Sequence, residues 1–411
     1  MKFASFTAVG VFLMAACSGT GSGTGTGSST GTGTGSGNGT GTGSGSGSGS
    51  GTGSGPAFTL AELAKVATQP DTIAAMAKAG GAQTATMAWD VFLYLNWPAV
   101  GGERGVPDPG KPLGGSPVVW QSWKEVHEVY LAGGAPPPTW SDGGPKGPPT
   151  LSLTMIDGKT LVDVDGNPIT YTVGLNQDAF GYVFDRQLYG WAGQAALRQA
   201  GAKPVQFPPA AMEIKASWKI LDPVADKDRM SHYLVAPALL PSDGGGAPTK
   251  VTVGLTGLHV TSKALPDWVW MTFEQVENPT TTGVTAVLPI DPAVAQVNAQ
   301  MQAALTGTPW AYYQLMGVQT AFTTGDGTPT LLANTQIETY FQSSSSCMTC
   351  HARASISTGP VARLPFFIMK AGNLAGPTGT PDLSPFGPAK GQFSSLDSVW
   401  SLREAKQAVS P

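Results

Sequence analysis

Charge is scarce in this chain. Only 12% of its 411 residues are Asp, Glu, Lys or Arg, and the formal net charge is −4. No block of basic residues exists, so the electrostatic footprint of a nucleic-acid binder is missing. Beyond the first residues no apolar run approaches the roughly 18–20 positions that a membrane-spanning helix needs. No Ser-His-Asp order, phosphate-binding glycine loop or fixed-period repeat stands out. Cysteine and histidine are scarcest, at 3 and 4 residues, so each one can be asked what it does. Glycine and proline are plentiful, with 55 and 34. Every proline lies at or beyond Pro56, which predicts long, punctuated loops between short elements.

The first 55 residues do not read as a folded core. Met1-Lys2, the apolar stretch Val9–Met14 and then Ala15-Ala16-Cys17 have the form of a bacterial export signal ending in a lipobox, with Cys17 as the lipidated residue. An ordinary signal peptide cut nearby is the alternative. Residues 18–55 contain only Gly, Ser, Thr and Asn38, a flexible linker with an end-to-end distance of about 35 Å. The expectation is a cell-envelope protein held by lipid, on an outer membrane facing the periplasm or the cell surface. Residues 56–411 are then the folded part.

Two of the three cysteines form Cys347-Met348-Thr349-Cys350-His351, the attachment pattern of a c-type haem. Two thiols a turn apart reach the two vinyl groups of one porphyrin, and the adjacent histidine falls beneath the iron. Three other chemistries compete. A redox Cys-x-x-Cys belongs between a strand and a helix, whereas this one follows four serines. A zinc site needs two more ligands from His127, His232 and His259, which lie at no finger-like spacing. A disulfide leaves His351 without a reason. The expected cofactor is one covalent haem c on Cys347, Cys350 and His351.

The sixth iron position has several candidates. Residues 251–260 alternate as a strand that places His259 at the end of an apolar face, which makes it the favoured metal ligand. Met369, His127 and His232 follow, and an open position is the remaining possibility. Glu274, Glu338 and Asp185 are candidate proton donors at a haem pocket. His127-Glu128 begins like a zinc-protease motif but has Leu131 where the second histidine is required. Asp163-Val164-Asp165-Gly166-Asn167 reads as a hairpin turn rather than a calcium loop.

The pattern predicts helices over 57–79 (interrupted near Pro70), 82–96, 119–131, 178–200, 291–305, 331–342 and 394–408. It predicts strands near 151–155, 161–173, 213–220, 232–239, 251–260 and 268–276. In the strand over 213–220, Glu213, Lys215, Ser217 and Lys219 form a charged outer face. The fold class is α+β, a central and mainly antiparallel sheet with long Gly/Pro-rich loops and a helical haem-bearing C-terminal end.

Several runs carry a resemblance: Leu95-Asn96-Trp97-Pro98, Trp120-Gln121-Ser122-Trp123-Lys124, residues 213–219, Gly257-Leu258-His259-Val260, residues 268–274 and residues 334–339. With the haem motif and Ser398–Leu402, in this order, they resemble a group of exported bacterial cytochrome c family proteins. The resemblance spans about residues 90–402 and implies haem and export, with no assigned substrate. Members often carry His where this chain has Gln275, which leaves His259 as the favoured ligand. Two functions follow. One is an anchored electron carrier with a filled sixth position and a redox partner protein in the envelope. The other is a haem oxidoreductase or ligand sensor with an open one. A third reading, haem as a structural staple of a binding module, involves no redox change.

Overall fold

The computed structural model describes residues 58–142, 147–153, 155–156, 159–160, 162, 167–199, 201–242, 246–278, 288–338, 341–357, 363–370, 373–387, 389 and 392–407. The expected signal, Cys17, the linker and the Asp165-Gly166 turn lie outside them. Helix α1 (Leu60–Ala67) begins where the Thr59 hydroxyl accepts from the Glu62 amide at 3.3 Å. Helix α2 (Pro70–Ala79) begins on Pro70, which suits a first turn but cannot continue α1. Helix α3 (Gly81–Leu95) buries Met87, Trp89, Val91, Phe92 and Leu93. The break near Pro70 and both flanking helices are as the spacing predicts.

The helix expected over 119–131 does not form. A 3₁₀ turn at Val119–Ser122 leads into the short strand β1 (Lys124–Glu125) and one helical turn, α4 (Val126–Val129). The cause is tertiary. Arg104 takes the carbonyls of Ser122 and Trp123 at 3.2 and 3.1 Å, the groups a continuing helix would use. The run 178–200 likewise divides into α5 (Gln177–Asp185) and α6 (Trp191–Ala195). Gln187 sits between them at φ +54°, and a Cβ on Gly193 would come within 2.0 Å of the Gln187 carbonyl oxygen. Helix α7 (Pro292–Ala304) is capped by the Asp291 carboxylate, which accepts from the Ala293 amide at 2.8 Å. The last, α8 (Cys347–His351), is one turn.

The strands in chain order are β2 (Ser152–Leu153), β3 (Met155–Ile156), β4 (Lys159–Thr160), β5 (Thr170–Leu175), β6 (Met212–Leu221), β7 (Val235–Leu240), β8 (Thr249–Ser262), β9 (Val269–Gln275) and β10 (Tyr313–Gln319). Eight of them, β1 included, make one antiparallel sheet in the order β1-β5-β6-β8-β9-β10, with β2 on β5 and β7 on β8. The α+β architecture with a central antiparallel sheet is therefore present. Strand β10 went unread because Gly317 interrupts its alternation where the register shifts between Leu315 and Gly317.

Cross-strand register assigns each residue to a face. Ile214, Val260 and Met271 share one row, and Ala216, Leu258 and Phe273 the next. These rows are buried in one core cluster with α3 and α7, on which α1 and α2 add an outer layer against α3. Phe92 stacks on Phe273 at 4.2 Å, and Trp89 donates from Nε1 to Asn298 Oδ1 at 2.9 Å. Asn298 also bridges to Leu315, through its carbonyl oxygen at 2.9 Å and its amide at 3.0 Å, so α3, α7 and β10 are fastened through one side chain.

The opposite face is covered by α5 and by the chain beyond residue 330, where short pairs form between β11 (Ser355–Ser357) and β14 (Phe393–Ser395) and between β12 (Ile368–Lys370) and β13 (Asn373–Ala375). The helix expected over 331–342 is absent among the described residues. Asn334 turns the chain instead: its Oδ1 accepts from the Gln336 amide at 2.8 Å and its Nδ2 donates to the Phe273 carbonyl at 2.9 Å. It fits against the sheet because residue 257 is glycine; a Cβ there would lie 2.7 Å from Asn334 Nδ2 and 2.8 Å from Ser217 Oγ. The helix expected over 394–408 is replaced by β14, a tight turn and a 3₁₀ turn at Trp400–Glu404. No helix among the described residues is long and apolar enough to cross a membrane.

Candidate functional site

Between this second face and the covering segment lies a cavity of about 280 Å³. Register dictates its sheet-side wall. Val173, Lys215, His259 and Thr272 form one cross-strand row, and Leu175, Glu213, Thr261 and Trp270 the next. The charged outer face expected of β6 is therefore not a solvent face at Glu213 and Lys215, which line the cavity. The opposite wall is aromatic, with Phe341, Phe366, Phe367 and Trp400.

His351 reaches this cavity from α8. Its Nδ1 lies 2.9 Å from the Ser398 carbonyl, an acceptor only, so Nδ1 carries the proton and Nε2 keeps its lone pair. The imidazole ring packs on Trp270 with centroids 4.4 Å apart. Burial, countered in part by the Ser398 carbonyl, pushes His351 down to about 3, so the ring is neutral at physiological pH. The carbonyl is presented by a turn in which Asp397 and Ser398 have φ +51° and +66°, closed by the Val399 amide on Leu396 O at 3.1 Å. Two successive non-glycine residues there cost about 1 kcal/mol or more each, so contacts elsewhere must hold them.

The turn of α8 is clamped at both ends. Gln319 of β10 accepts from the Met348 amide at 3.1 Å and donates to Ser346 Oγ at 2.8 Å, and Ser346 caps the helix. At the other end Trp400 Nε1 donates to the Cys350 carbonyl at 3.1 Å. The two thiols lie outside the cavity lining, 6% and 2% exposed, and are not bonded to each other. Burial pushes Cys350 up to about 12 and Cys347 well above the ordinary thiol range, with the Glu338 charge adding to the effect at Cys347. A redox thiol pair needs a lowered pKa, and these thiols have the reverse. Among the described residues no group of three or more His, Cys, Asp or Glu side chains converges to hold a metal ion, so the zinc alternative lacks a ligand set there.

His259 lines the same cavity as His351 and is 8% exposed. Its Nε2 is buried without a hydrogen-bond partner, and the nearest carboxylate oxygen, Glu338 Oε2, is 3.5 Å away without the required alignment. Burial favours the neutral acid at Glu338, but His259, the Asn334 amide and Lys215 outweigh it and hold the carboxyl below its ordinary range. Burial lowers Lys215, and Glu338 and Glu213 work against that shift; its Nζ lies 4.6 Å from the Tyr171 ring centroid. Burial raises Glu213 to about 7 despite the Ser401 hydroxyl, which donates to it, and the Lys215 charge.

The other candidates fall elsewhere. His127 lines the cavity, with Nε2 3.4 Å from Ser152 Oγ. His232 does not; it pairs with Glu277 and stacks on Tyr312, which removes it as an iron ligand at this cavity. The backbone of Met369 is in β12, and its side chain lies outside what is described. Glu274 is buried away from the cavity, where it accepts from the Thr335 amide and hydroxyl at 3.0 and 2.9 Å. It fastens the 334–338 turn to β9. Asp185 is exposed at the end of α5. Of the three carboxylates proposed as proton donors, only Glu338 lies at the site.

Sequence reasoning missed Glu213, Lys215, Trp270, Gln319, Trp400 and Ser398. The alternation of β6 did signal that Glu213 and Lys215 share a face, but nothing local says that residues beyond 330 cover it. The chain matches no family model, no curated protein and no solved structure.

Proposed function

We propose that this protein is a c-type cytochrome that carries one covalent haem and passes single electrons to a redox partner in the cell envelope, anchored by lipid on Cys17. The observation that carries the reading is the contact of His351 Nδ1 with the Ser398 carbonyl. A Cys-x-x-Cys-His turn whose histidine lines an aromatic cavity and donates Nδ1–H to a backbone carbonyl leaves Nε2 unprotonated, the state a metal ligand requires. The donor types present are those the group takes, and the two thiols, which face the Leu332 and Pro377 carbonyls outside the cavity lining, would turn toward it on attachment. Cys347 and Cys350 would hold it covalently, and His351 and His259, the latter with a buried nitrogen that lacks a hydrogen-bond partner, would supply nitrogen ligands. Phe341, Phe366, Phe367 and Trp400 exclude water, while Lys215 and Arg403 supply cations for carboxylates. Bound haem contributes a one-electron iron couple, and two nitrogen ligands keep reorganisation small.

One observation favours a second reading. Glu338 beside His259 is an acid–base pair inside the cavity, and with an open sixth position it would suit an oxidoreductase or a ligand sensor. The visible spectrum of reduced protein, with and without CO, separates the two. Sharp low-spin bands indifferent to CO support the carrier, and His259→Ala should then make them CO-sensitive. High-spin bands that shift with CO support the second reading. Absence of covalent haem removes both.

A further inference from the structure

His351 stands at the end of a five-residue helix, too short to orient its own last side chain. Its ring is set from outside, by Trp270 and by the Ser398 carbonyl. That carbonyl points at Nδ1 only while residues 397 and 398 stay in the left-handed region. Beside two local bonds, the Val399 amide on the Leu396 carbonyl and the Asp397 amide on Ser395 Oγ at 3.2 Å, three contacts to distant parts of the chain hold them there, all on Asp397. Its Oδ1 takes Lys263 Nζ at 2.6 Å, its Oδ2 takes the Phe207 amide at 2.7 Å, and its backbone oxygen takes Trp268 Nε1 at 2.8 Å. The ion pair is well covered, with side chains 5% and 13% exposed, and Lys263 is further fixed by the Pro266 carbonyl at 2.6 Å. Glycine would adopt this turn more readily, so conformational ease does not explain an aspartate here; its carboxylate contacts do.

We propose that Asp397 is a positioning residue for His351: through Lys263 and the Phe207 amide it locks the turn that fixes the proton on Nδ1 and tunes Nε2 as a ligand. This rests on the haem reading above. A hydrogen bond from Nδ1–H strengthens Nε2 as a donor and favours the oxidised ion, so loosening the turn raises the midpoint potential.

The test is the midpoint potential of the full haem-loaded chain in three variants. Asp397→Ala and Asp397→Gly should shift it upward. Asp397→Asn, which keeps an acceptor for the Phe207 amide, should shift it less. Wild-type potential in Asp397→Gly would overturn the proposal, because glycine permits the turn but has no carboxylate to lock it. If the wild-type chain holds no covalent haem, the haem reading fails, and the positioning role is read from the ¹⁵N shifts of the His351 ring in that chain. Loss of the Nδ1-protonated tautomer in Asp397→Ala and Asp397→Gly then supports it, and an unchanged tautomer overturns it.

Discussion

One residue along β6 separates two environments. Ile214 and Ala216 face helices, among Leu258, Val260, Met271 and Phe273, where nearly every neighbour is apolar. Glu213 and Lys215 face the other way, where the ionisable and polar groups His259, Thr261 and Glu338 meet the aromatic wall of Phe341, Phe366, Phe367 and Trp400. Both faces are covered, so burial alone does not distinguish them. The helix-covered face uses its burial for packing, while the cavity face desolvates ionisable groups, which shifts their protonation and leaves His259 Nε2 beside Glu338 at 3.5 Å without a hydrogen-bond partner. Strand alternation in this chain therefore divides stability from chemistry rather than core from solvent.

That division can be broken most severely on the helix side. Trp89 has no exposed surface, and it packs edge-on to Phe92 and Phe273 while holding Asn298. Trp89→Ala should cost about 3–5 kcal/mol, read from the urea midpoint at constant slope. A loss under 1 kcal/mol would mean that this face is not the main store of stability.

The cavity side should answer to pH instead. Glu213 binds its proton more tightly in the folded chain, near 7, than at its ordinary 4.5. The folded state holds more protons between those values, so this group's contribution to stability falls as pH rises from about 4.5 to about 7. Glu213→Gln should flatten that part of the stability–pH curve. It will not abolish the slope, because burial also raises Glu125 to about 8 and Asp90 to about 6, with the same sign. An unaltered slope would show that the Glu213 carboxyl is hydrated. The smallest effect belongs to neither face: Asp185→Asn, on the exposed end of α5, should stay within about 0.5 kcal/mol and leave the visible spectrum unchanged.

What the sequence discloses is what local rules determine. Pro70, Asp291, the alternation of β6 and β8 and the apolar run of β9 mark their elements because caps and side-chain pattern act within a few residues. The Cys347–His351 motif is legible for the same reason, since its chemistry is written in its spacing. The segments at 331–342 and 394–404 are not legible. Their conformations are imposed by partners far away in the chain, Glu274 and the Phe273 carbonyl for the first, Lys263 and Phe207 for the second. The same distance hid the cavity, because the residues that cover Lys215 and His259 begin more than seventy positions after β8.

The position of these segments in the chain also sets an order in time. The main sheet is complete at Gln319, and the wall that closes over it, with both motif thiols, comes only afterwards. In a chain made from its N-terminus, the floor of the cavity can assemble while the roof is still being delivered. Cys347 and Cys350, sealed in the finished molecule, are thus open to reagents until that roof closes over the sheet. Their window of reactivity is a stage in the history of the fold.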